Sequence, residues 1–226
     1  MTGMPRRPPS ATEQEPAHYI FPTITLTTLR RRPMQKRGFD RVLSILDACE
    51  ELLQTRHFED IGTADIAAKA RLKIGTLYFF FYDRAAIFTC LVQRVLTEIQ
   101  EQFAAEPVGA GIGPEQYVGV VLTRLSAVWS RHRSLMNLYH SFQHKAEIKA
   151  NRDALQHFAT KRLVILLRDG TAGVDARRAR ASAWVLYDML MSSLDSVVHL
   201  AEGERPEVAR EWRRAISTYI SSLQRN

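Results

Sequence analysis

The sequence predicts an all-α protein. Through most of its 226 residues, apolar side chains recur every three or four positions, which is the spacing of one buried helix face. No segment alternates apolar and polar residues over enough positions to indicate a β-strand. The separate stretches with helical spacing number about nine. They form an N-terminal group of mostly short helices and a C-terminal group of mostly longer ones.

The composition limits the class of protein. With 46% hydrophobic residues and a formal net charge of +7, the chain can bury its own core and suits an anionic partner, although basic proteins without such partners are common. Cys49 and Cys90 lie in apolar helical patterns, which argues against disulfides and favours a reducing compartment. No signal-peptide pattern and no run of roughly 18 apolar residues is present. We therefore expect a cytoplasmic protein with no membrane partner.

Residues 1–37 are predicted to form a basic, disordered arm. The first 29 residues contain five of the nine prolines and few apolar clusters, so they cannot bury enough surface to offset the entropy of ordering. Five cations follow within eight positions, directly before the first helix. They either contact DNA phosphates or a minor groove, or form a solvated run of charge. The candidates for DNA contact are Arg31, Arg32, Lys36 and Arg37.

Three helices are predicted next. The first runs from about Phe39 to Thr55 and has one apolar face. Two shorter helices lie within residues 62–81 and are joined by a tight turn at Arg71 and Leu72. This is the layout of a helix-turn-helix, in which the second helix of the pair enters the major groove of DNA.

The residues at the ends of these short helices favour the same interpretation. Gly62 stands at the N-cap of the second helix, and Asp65 complements that N-terminus three positions later. The third helix spans about Lys73 to Phe80 and directs Leu77 and Phe81 towards the core. We expect Lys73, Thr76, Tyr78 and Phe79 nearer the exposed side.

A longer helical region completes the chain. Asp83 can cap a fourth helix that extends to about Ala105, and a glycine- and proline-rich linker follows it. Residues 107–226 are predicted to form a C-terminal helical bundle for ligand binding and dimerisation. Its helices are expected at about residues 115–130, 132–143, 146–168, 175–201 and 206–223.

The penultimate helix is apolar nearly all round, so it must be covered on two sides. The last helix has a broad apolar face of its own. In one interpretation these two helices form the self-complementary interface of a two-fold homodimer. In the other, the penultimate helix lies wholly inside one monomer.

A ligand cavity is expected among the C-terminal helices, and its apolar lining suits an apolar or aromatic effector. Most of the same side chains are also candidates for the core. The predicted lining consists of Trp129, Leu138, Tyr139, Phe142, Phe158, Leu166, Trp184, Tyr187, Asp188 and Met191.

Two sets of polar residues stand out in this region. Asp188 and Asp195 lie on the most apolar helix, where an unpaired carboxylate would be costly. In one interpretation they pair with an arginine, such as Arg213 or an arginine of the other subunit in a dimer. In the other, they recognise a cationic or polar ligand. His140 and His144 are one turn apart, a spacing that can bind a divalent metal, but no cysteine or carboxylate pattern completes a site. We expect no metal, no cofactor and no catalytic residue.

The stretch from Ile66 to Phe81, with the helix before it and the helix start after it, resembles the N-terminal domain of the TetR family of bacterial transcriptional repressors. The most specific part is Gly75-Thr76-Leu77-Tyr78, followed by Phe81 and a cation at Arg84. The resemblance covers about residues 38–98. It implies a homodimer with one helix-turn-helix per subunit, a palindromic operator, and a small ligand that releases the DNA.

The same resemblance implies which residues face DNA. They are Thr63, Ala64, Lys73, Ile74, Thr76 and Tyr78, with Phe79 beside the backbone and Arg84 on a phosphate. The chain departs from the family pattern at three places. Arg71 stands where the family usually has glycine, which predicts a strained turn. Lys73 stands where the family has a small N-cap residue. Ile61-Gly62 stands where the family often has a Thr-Thr or Thr-Ser pair, whose hydroxyl is therefore missing.

These observations predict a sequence-specific DNA-binding regulator, a dimeric repressor that an apolar or aromatic ligand releases by moving the fourth helix. Two alternatives belong to other classes. The C-terminal bundle could hold the substrate of an enzyme, although no nucleophile–base pair or phosphate loop is present. The helix-turn-helix could also bind protein in an adaptor.

Overall fold

The computed structural model describes residues 28–105, 111–171 and 173–223, and all the regular elements within these ranges are helical. The all-α prediction is therefore confirmed. The predicted arm lies outside the described residues up to residue 27, as does most of the predicted linker. Among the described helices, none has the length and apolar character needed to cross a bilayer.

The N-terminal part contains four helices, α1 (Lys36–Leu53), α2 (Thr63–Lys69), α3 (Ile74–Phe80) and α4 (Arg84–Ala105). A short 3₁₀ turn at Phe58–Asp60 joins α1 to α2. The first helix begins earlier than predicted, so Lys36 and Arg37 belong to its first turn. Fully buried side chains from all four helices form one core, which includes Ile45, Ile66, Leu77 and Leu91.

The C-terminal part contains five described helices, α5 (Pro114–Arg131), α6 (Met136–Phe142), α7 (Ala146–Gly170), α8 (Ala176–His199) and α9 (Arg205–Leu223). A 3₁₀ turn at Arg133–Leu135 precedes α6, where the sequence predicted one continuous helix. The fourth helix packs against α1 and also against α5 and α7. It therefore connects the helix-turn-helix to the C-terminal bundle.

The eighth helix is only partly covered within one chain. Leu186, Leu190 and Leu194 are buried against neighbouring helices. Trp184 and Val185 on the same helix are 52% and 43% exposed. The interpretation that this helix lies wholly inside one monomer is therefore wrong, because two of its large apolar side chains remain open to solvent.

Candidate nucleic-acid interface and ligand cavity

The start of α2 is set by a local hydrogen bond. The backbone N–H of Gly62 donates to Asp65 Oδ2 at 2.8 Å, as the sequence predicted. This bond, with a further contribution from Arg56 at 3.3 Å, lowers the pKa of Asp65. The carboxylate therefore stays charged beside the positive end of the helix, where it is favourable.

The turn between α2 and α3 closes on Arg71, whose φ is 56°. The N–H of Arg71 donates to the carbonyl of Ala68 at 3.0 Å, and the N–H of Leu72 to that of Ala67 at 2.9 Å. These two bonds form a Schellman motif, which favours glycine at the left-handed position. The predicted strain is confirmed, because a side chain in this conformation costs roughly 1–2 kcal/mol.

The third helix presents an unusual outer face. Leu77 and Phe80 are buried, whereas Ile74, Tyr78 and Phe79 are 45%, 39% and 47% exposed. Apolar and aromatic side chains of this size are normally covered in a folded protein. The short helix therefore exposes three apolar or aromatic side chains that are available to a partner.

The other residues predicted to face DNA lie beside this surface. The hydroxyls of Thr63 and Tyr78 are hydrogen-bonded at 3.0 Å, so a polar contact connects the start of α2 to α3. Ala64 and Lys73 are exposed, and Thr76 is half-buried. Among the predicted residues, the structure thus brings Thr63 of α2 and Tyr78 of α3 together.

The described part of the basic segment is packed against α3. The N–H of Arg30 donates to the carbonyl of Phe80 at 2.8 Å, and its guanidinium reaches the carbonyl of Tyr78 at 3.3 Å. The guanidinium of Arg31 lies 4.8 Å from the centre of the Phe79 ring. Thr28 is buried at the base of this segment. Arg30 and Arg31 therefore extend the exposed face of α3.

Arg84 has a structural partner that the sequence did not predict. Its Nη1 donates to the carbonyls of Glu59 and Ile61 at 2.8 and 3.0 Å, and its guanidinium lies over the ring of Phe88. These bonds attach the start of α4 to the 3₁₀ turn before α2. A phosphate would have to use the remaining N–H groups of Arg84.

A half-buried ionic network joins α1 to the C-terminal bundle. His132 follows α5 and contacts Glu50 on α1 through Nδ1, while its Nε2 lies 2.9 Å from Glu98 on α4. Arg94 binds Glu50 as well and reaches Asp47 at 2.6 Å. The hydrogen bond to Glu50 is the main cause that raises the pKa of His132. Burial alone would raise the pKa of Glu50, but His132 and Arg94 together lower it.

The C-terminal bundle contains a cavity of about 350 Å³, partly open to solvent, between α4, α5, α6, α7 and α8. Five of the ten predicted residues line it, namely Trp129, Tyr139, Tyr187, Asp188 and Met191. The sequence did not predict the contribution of α4, which includes Ile99. On α7 it predicted Phe158 and Leu166, where the structure has Arg152 and Leu155. Ile99 and Leu155 fit the core pattern of their own helices, so no local signal distinguishes them from other core residues.

The other five predicted lining residues lie elsewhere. Leu138 and Leu166 are buried in the general core, and Trp184 is exposed. Phe142 packs edge-on against Phe58 and Phe88 beneath the helix-turn-helix, with ring centres at 6.2 and 5.8 Å. Phe158 lies beside Arg162. These residues do not line the cavity, because their side chains project from their helices in other directions.

Polar groups of the cavity also depart from the prediction. Asp195 pairs with Nε2 of His140 at 3.2 Å, and not with Arg213. The indole Nε1 of Trp129 is buried and has no hydrogen-bond partner among the described residues. The described residues contain no cluster of histidine, cysteine and carboxylate side chains that could hold a metal ion.

Comparisons with known proteins agree with this arrangement. The sequence profile described as bacterial regulatory proteins, tetR family, matches residues 45–89. The HTH-type transcriptional regulator EthR of Mycobacterium tuberculosis (strain ATCC 25618 / H37Rv) is 37% identical over 68 residues. That similarity covers 30% of this chain and 32% of EthR, so the chain matches about a third of the length of this relative.

Solved structures resemble a larger part of the chain. A transcriptional regulator from Cytophaga hutchinsonii has a TM-score of 0.61 at 12% identity, with 80% of this chain and 96% of that chain covered. A TetR-like transcriptional regulator from Rhodococcus sp. RHA1 has a TM-score of 0.58 at 20% identity, with 84% and 97% covered. At these identities the likeness shows a shared helical fold.

Proposed function

Since this chain belongs, through its helix-turn-helix domain, to the tetR family of bacterial regulatory proteins, we propose that it is a dimeric repressor of transcription that binds a palindromic operator. The observation that carries this proposal is the outer face of α3. Ile74, Tyr78 and Phe79 are exposed on a helix flanked by the cations of residues 30–32. Such a helix suits the major groove, where phosphates fix the register and side chains read the bases.

The individual contacts follow from side-chain chemistry. Lys73 and the arginines at 31 and 32 are exposed and can neutralise phosphates. Ile74 and Thr76 carry methyl groups that can contact a thymine methyl, and the hydroxyl of Tyr78 can reach a phosphate. We include Thr63 and Ala64 at the groove edge and Phe79 beside the backbone. Arg84 contributes mainly by holding α4 against the domain.

A homodimer would cover the open face of the eighth helix. Trp184 and Val185 are exposed there, and Ile165 on α7 is 41% exposed. Exposed apolar side chains that lie close together are typical of subunit interfaces. The adjacent α9 packs on α8, so both helices can contribute to a two-fold interface. We expect Trp184→Glu to give a monomer in sedimentation, while Gln116→Glu, on the exposed side of α5, leaves the dimer intact.

The cavity of the C-terminal bundle would bind the effector. Leu96 and Ile99 of α4 line it, and the same helix begins at the helix-turn-helix. A ligand that favours one position of α4 would shift the separation of the two recognition helices in the dimer. Half-sites lie about one helical turn, roughly 34 Å, or a multiple of it apart, so a small rotation prevents simultaneous docking.

The deciding experiment is a binding selection on genomic DNA with the purified chain. We expect a palindromic motif to be enriched, and Thr76→Ala to weaken or broaden its recognition. Lys73→Ala should weaken binding to all sequences and reduce the dependence on salt. Lys149→Ala is the matched control, because it removes the same charge from α7, far from α3. If no sequence is enriched at any salt concentration, the proposal is wrong.

A further inference from the structure

We propose that Gln93 of α4 is a positioning residue for operator binding, and that it holds the arginines of residues 30–32 beside α3. Gln93 is fully buried, so it cannot itself contact DNA. The inference rests on the proposed function, because it takes these arginines as contacts to DNA phosphates. It adds the internal residue on which those contacts depend.

The first step is the bonding of Gln93. Its Oε1 accepts a hydrogen bond from the hydroxyl of Thr28 at 2.7 Å, and its Nε2 donates to Oδ1 of Asn151 at 2.9 Å. A buried amide is costly unless its polar atoms are paired, whereas an aliphatic side chain would have no such cost. The buried amide therefore indicates a specific connection, and it joins the segment before α1 to α7 through α4.

The second step is what the bond to Thr28 anchors. Thr28 and Leu29 are buried at one end of a short basic segment, and Pro33 is buried at the other end. The three arginines between these anchors are exposed. The backbone that carries them is therefore held at both ends. The hydrogen bond to Gln93 is a buried polar part of the first anchor.

The third step is the direction of the segment. The N–H of Arg30 donates to the carbonyl of Phe80 at 2.8 Å, and the guanidinium of Arg31 lies 4.8 Å from the ring centre of Phe79. These contacts place the segment along the exposed side of α3, which is the proposed recognition helix. Arginines that are already ordered there bind phosphates with less loss of conformational entropy. Without the anchor at Thr28, that ordering has to occur on binding.

The fourth step is the orientation of the amide. An amide donates from its nitrogen and accepts at its oxygen, so the bond to Asn151 turns Oε1 of Gln93 towards Thr28. Asn151 belongs to α7 of the C-terminal bundle. The anchor of the basic segment therefore depends on a residue of each part of the chain.

The test measures affinity for the operator, recovered from the genomic selection, over a range of salt concentrations. Gln93→Met keeps an unbranched side chain of similar size but removes both bonds. We expect its affinity to decrease roughly three- to tenfold. The slope of log affinity against log salt should decrease by about one to two, because each phosphate contact that Arg31 or Arg32 loses contributes about 0.9.

Gln102→Met is the matched control on the same helix. The amide of Gln102 donates to the carbonyl of Glu98 within α4 at 3.3 Å, so its loss does not release the basic segment. This variant should keep the affinity and the slope of the unaltered chain. Equal losses in Gln102→Met and Gln93→Met would overturn the inference.

A second pair of variants changes the partner of Gln93. Thr28→Val removes the hydroxyl, and Thr28→Ser keeps it. Thr28→Val should weaken operator binding and reduce the slope, whereas Thr28→Ser should match the unaltered chain. Because Thr28 precedes α1, this pair tests the anchor even if Gln93→Met does not fold. Full operator affinity in Thr28→Val would overturn the inference.

A double-mutant cycle separates positioning from a general effect on the fold. Arg31→Ala together with Arg32→Ala removes two of the arginines that Gln93 is proposed to hold. In that background, Gln93→Met should have little further effect on affinity. A merely structural role would weaken binding equally in both backgrounds, and that result would contradict the proposal.

Amide hydrogen exchange without DNA reports the anchor directly. Residues 29–32 should exchange faster in Gln93→Met and Thr28→Val than in the unaltered chain, because the bond from Arg30 to Phe80 opens more often. Unchanged exchange would overturn the inference. If the unaltered chain binds an operator and the variants bind it equally well, the inference fails and the proposed function stands. If the unaltered chain enriches no DNA sequence, the proposed function fails and the inference fails with it.

Discussion

His132, which follows α5, contacts the carboxylate of Glu50 on α1 and so connects the C-terminal bundle to the helix-turn-helix domain. Glu98 on α4 faces the other ring nitrogen at 2.9 Å, and Arg131 pairs with Glu98 from the end of α5. Arg94 lies on the far side of Glu50. Two carboxylates therefore surround a single imidazole at the junction of three helices.

This contact predicts that stability depends on pH. The pKa of His132 is raised from 6.5, so the protonated ring stabilises the fold fully below pH 6.5, and this stabilisation is lost as the pH rises through the raised value. The pKa of Glu50 is lowered from 4.5, so its contribution is present above pH 4.5 and is lost on further acidification. We expect the contact to be strongest between these two values.

The measurement is urea unfolding of the unaltered chain and of His132→Gln across this range. The difference in unfolding free energy should be about 1–3 kcal/mol near pH 5.5, and it should decrease towards pH 9. His144→Gln is the matched control, because His144 is exposed on the same part of the chain. A constant difference at all pH values would mean that His132 does not act through its charge.

Arg71→Gly should stabilise the protein. The φ of 56° at Arg71 is easily adopted by glycine, so the substitution relieves about 1 kcal/mol of backbone strain. Arg71→Ala removes the same side chain but keeps a Cβ, and it should give no comparable gain. Thermal unfolding of the three proteins tests this, and equal melting temperatures for the two variants would contradict the strain at this turn.

Arg84→Lys should destabilise the fold although it keeps the positive charge. A lysine cannot reproduce the two bonds to the carbonyls of Glu59 and Ile61, and their loss should cost about 1–3 kcal/mol. Thermal unfolding and operator binding are measured together. An unchanged melting temperature with weaker, less salt-dependent DNA binding would instead assign Arg84 to a phosphate.

Two glycines in the bundle should respond in opposite ways to alanine. A Cβ at Gly170 would lie 2.8 Å from Cδ of Pro114, so Gly170→Ala should destabilise the chain by about 1–3 kcal/mol. Nothing lies within 4 Å of a Cβ at Gly119, which is inside α5, so Gly119→Ala should stabilise it by about 0.5–1 kcal/mol. Chemical unfolding of both variants tests whether α5 and α7 meet at Pro114.

Tyr78→Phe should weaken operator binding without changing stability. The hydroxyl of Tyr78 is exposed and bonded only to the hydroxyl of Thr63 in the described structure, so its loss should alter unfolding by less than about 0.5 kcal/mol. Operator affinity should decrease roughly three- to tenfold if the hydroxyl contacts a phosphate. Tyr82→Phe is the matched control, since Tyr82 is 64% exposed next to the same helix. Equal losses in both variants would exclude a specific contact by Tyr78.

Local patterns in the sequence are sufficient for the helices and for the helix-turn-helix. Apolar spacing and capping residues act over one or two turns, so Gly62 with Asp65 and the cap at Asp83 can be predicted and are observed. The side of α3 that faces outward follows in the same way, because Leu77 and Phe81 occupy the opposite face. The strain at Arg71 is implied instead by the resemblance to a family that usually has glycine there, and its φ is 56°.

Partners between distant helices follow from the tertiary structure alone. Residues 84, 132 and 195 each find their partner on another element, and the angle and distance at which helices approach one another determine that choice. For the same reason only half of the predicted lining residues reach the cavity. The spacing of apolar residues along a helix is the same whether a side chain packs in the core or contacts a ligand. The helical spacing in the chain determines which faces are buried, and the packing of the helices determines what those faces contact.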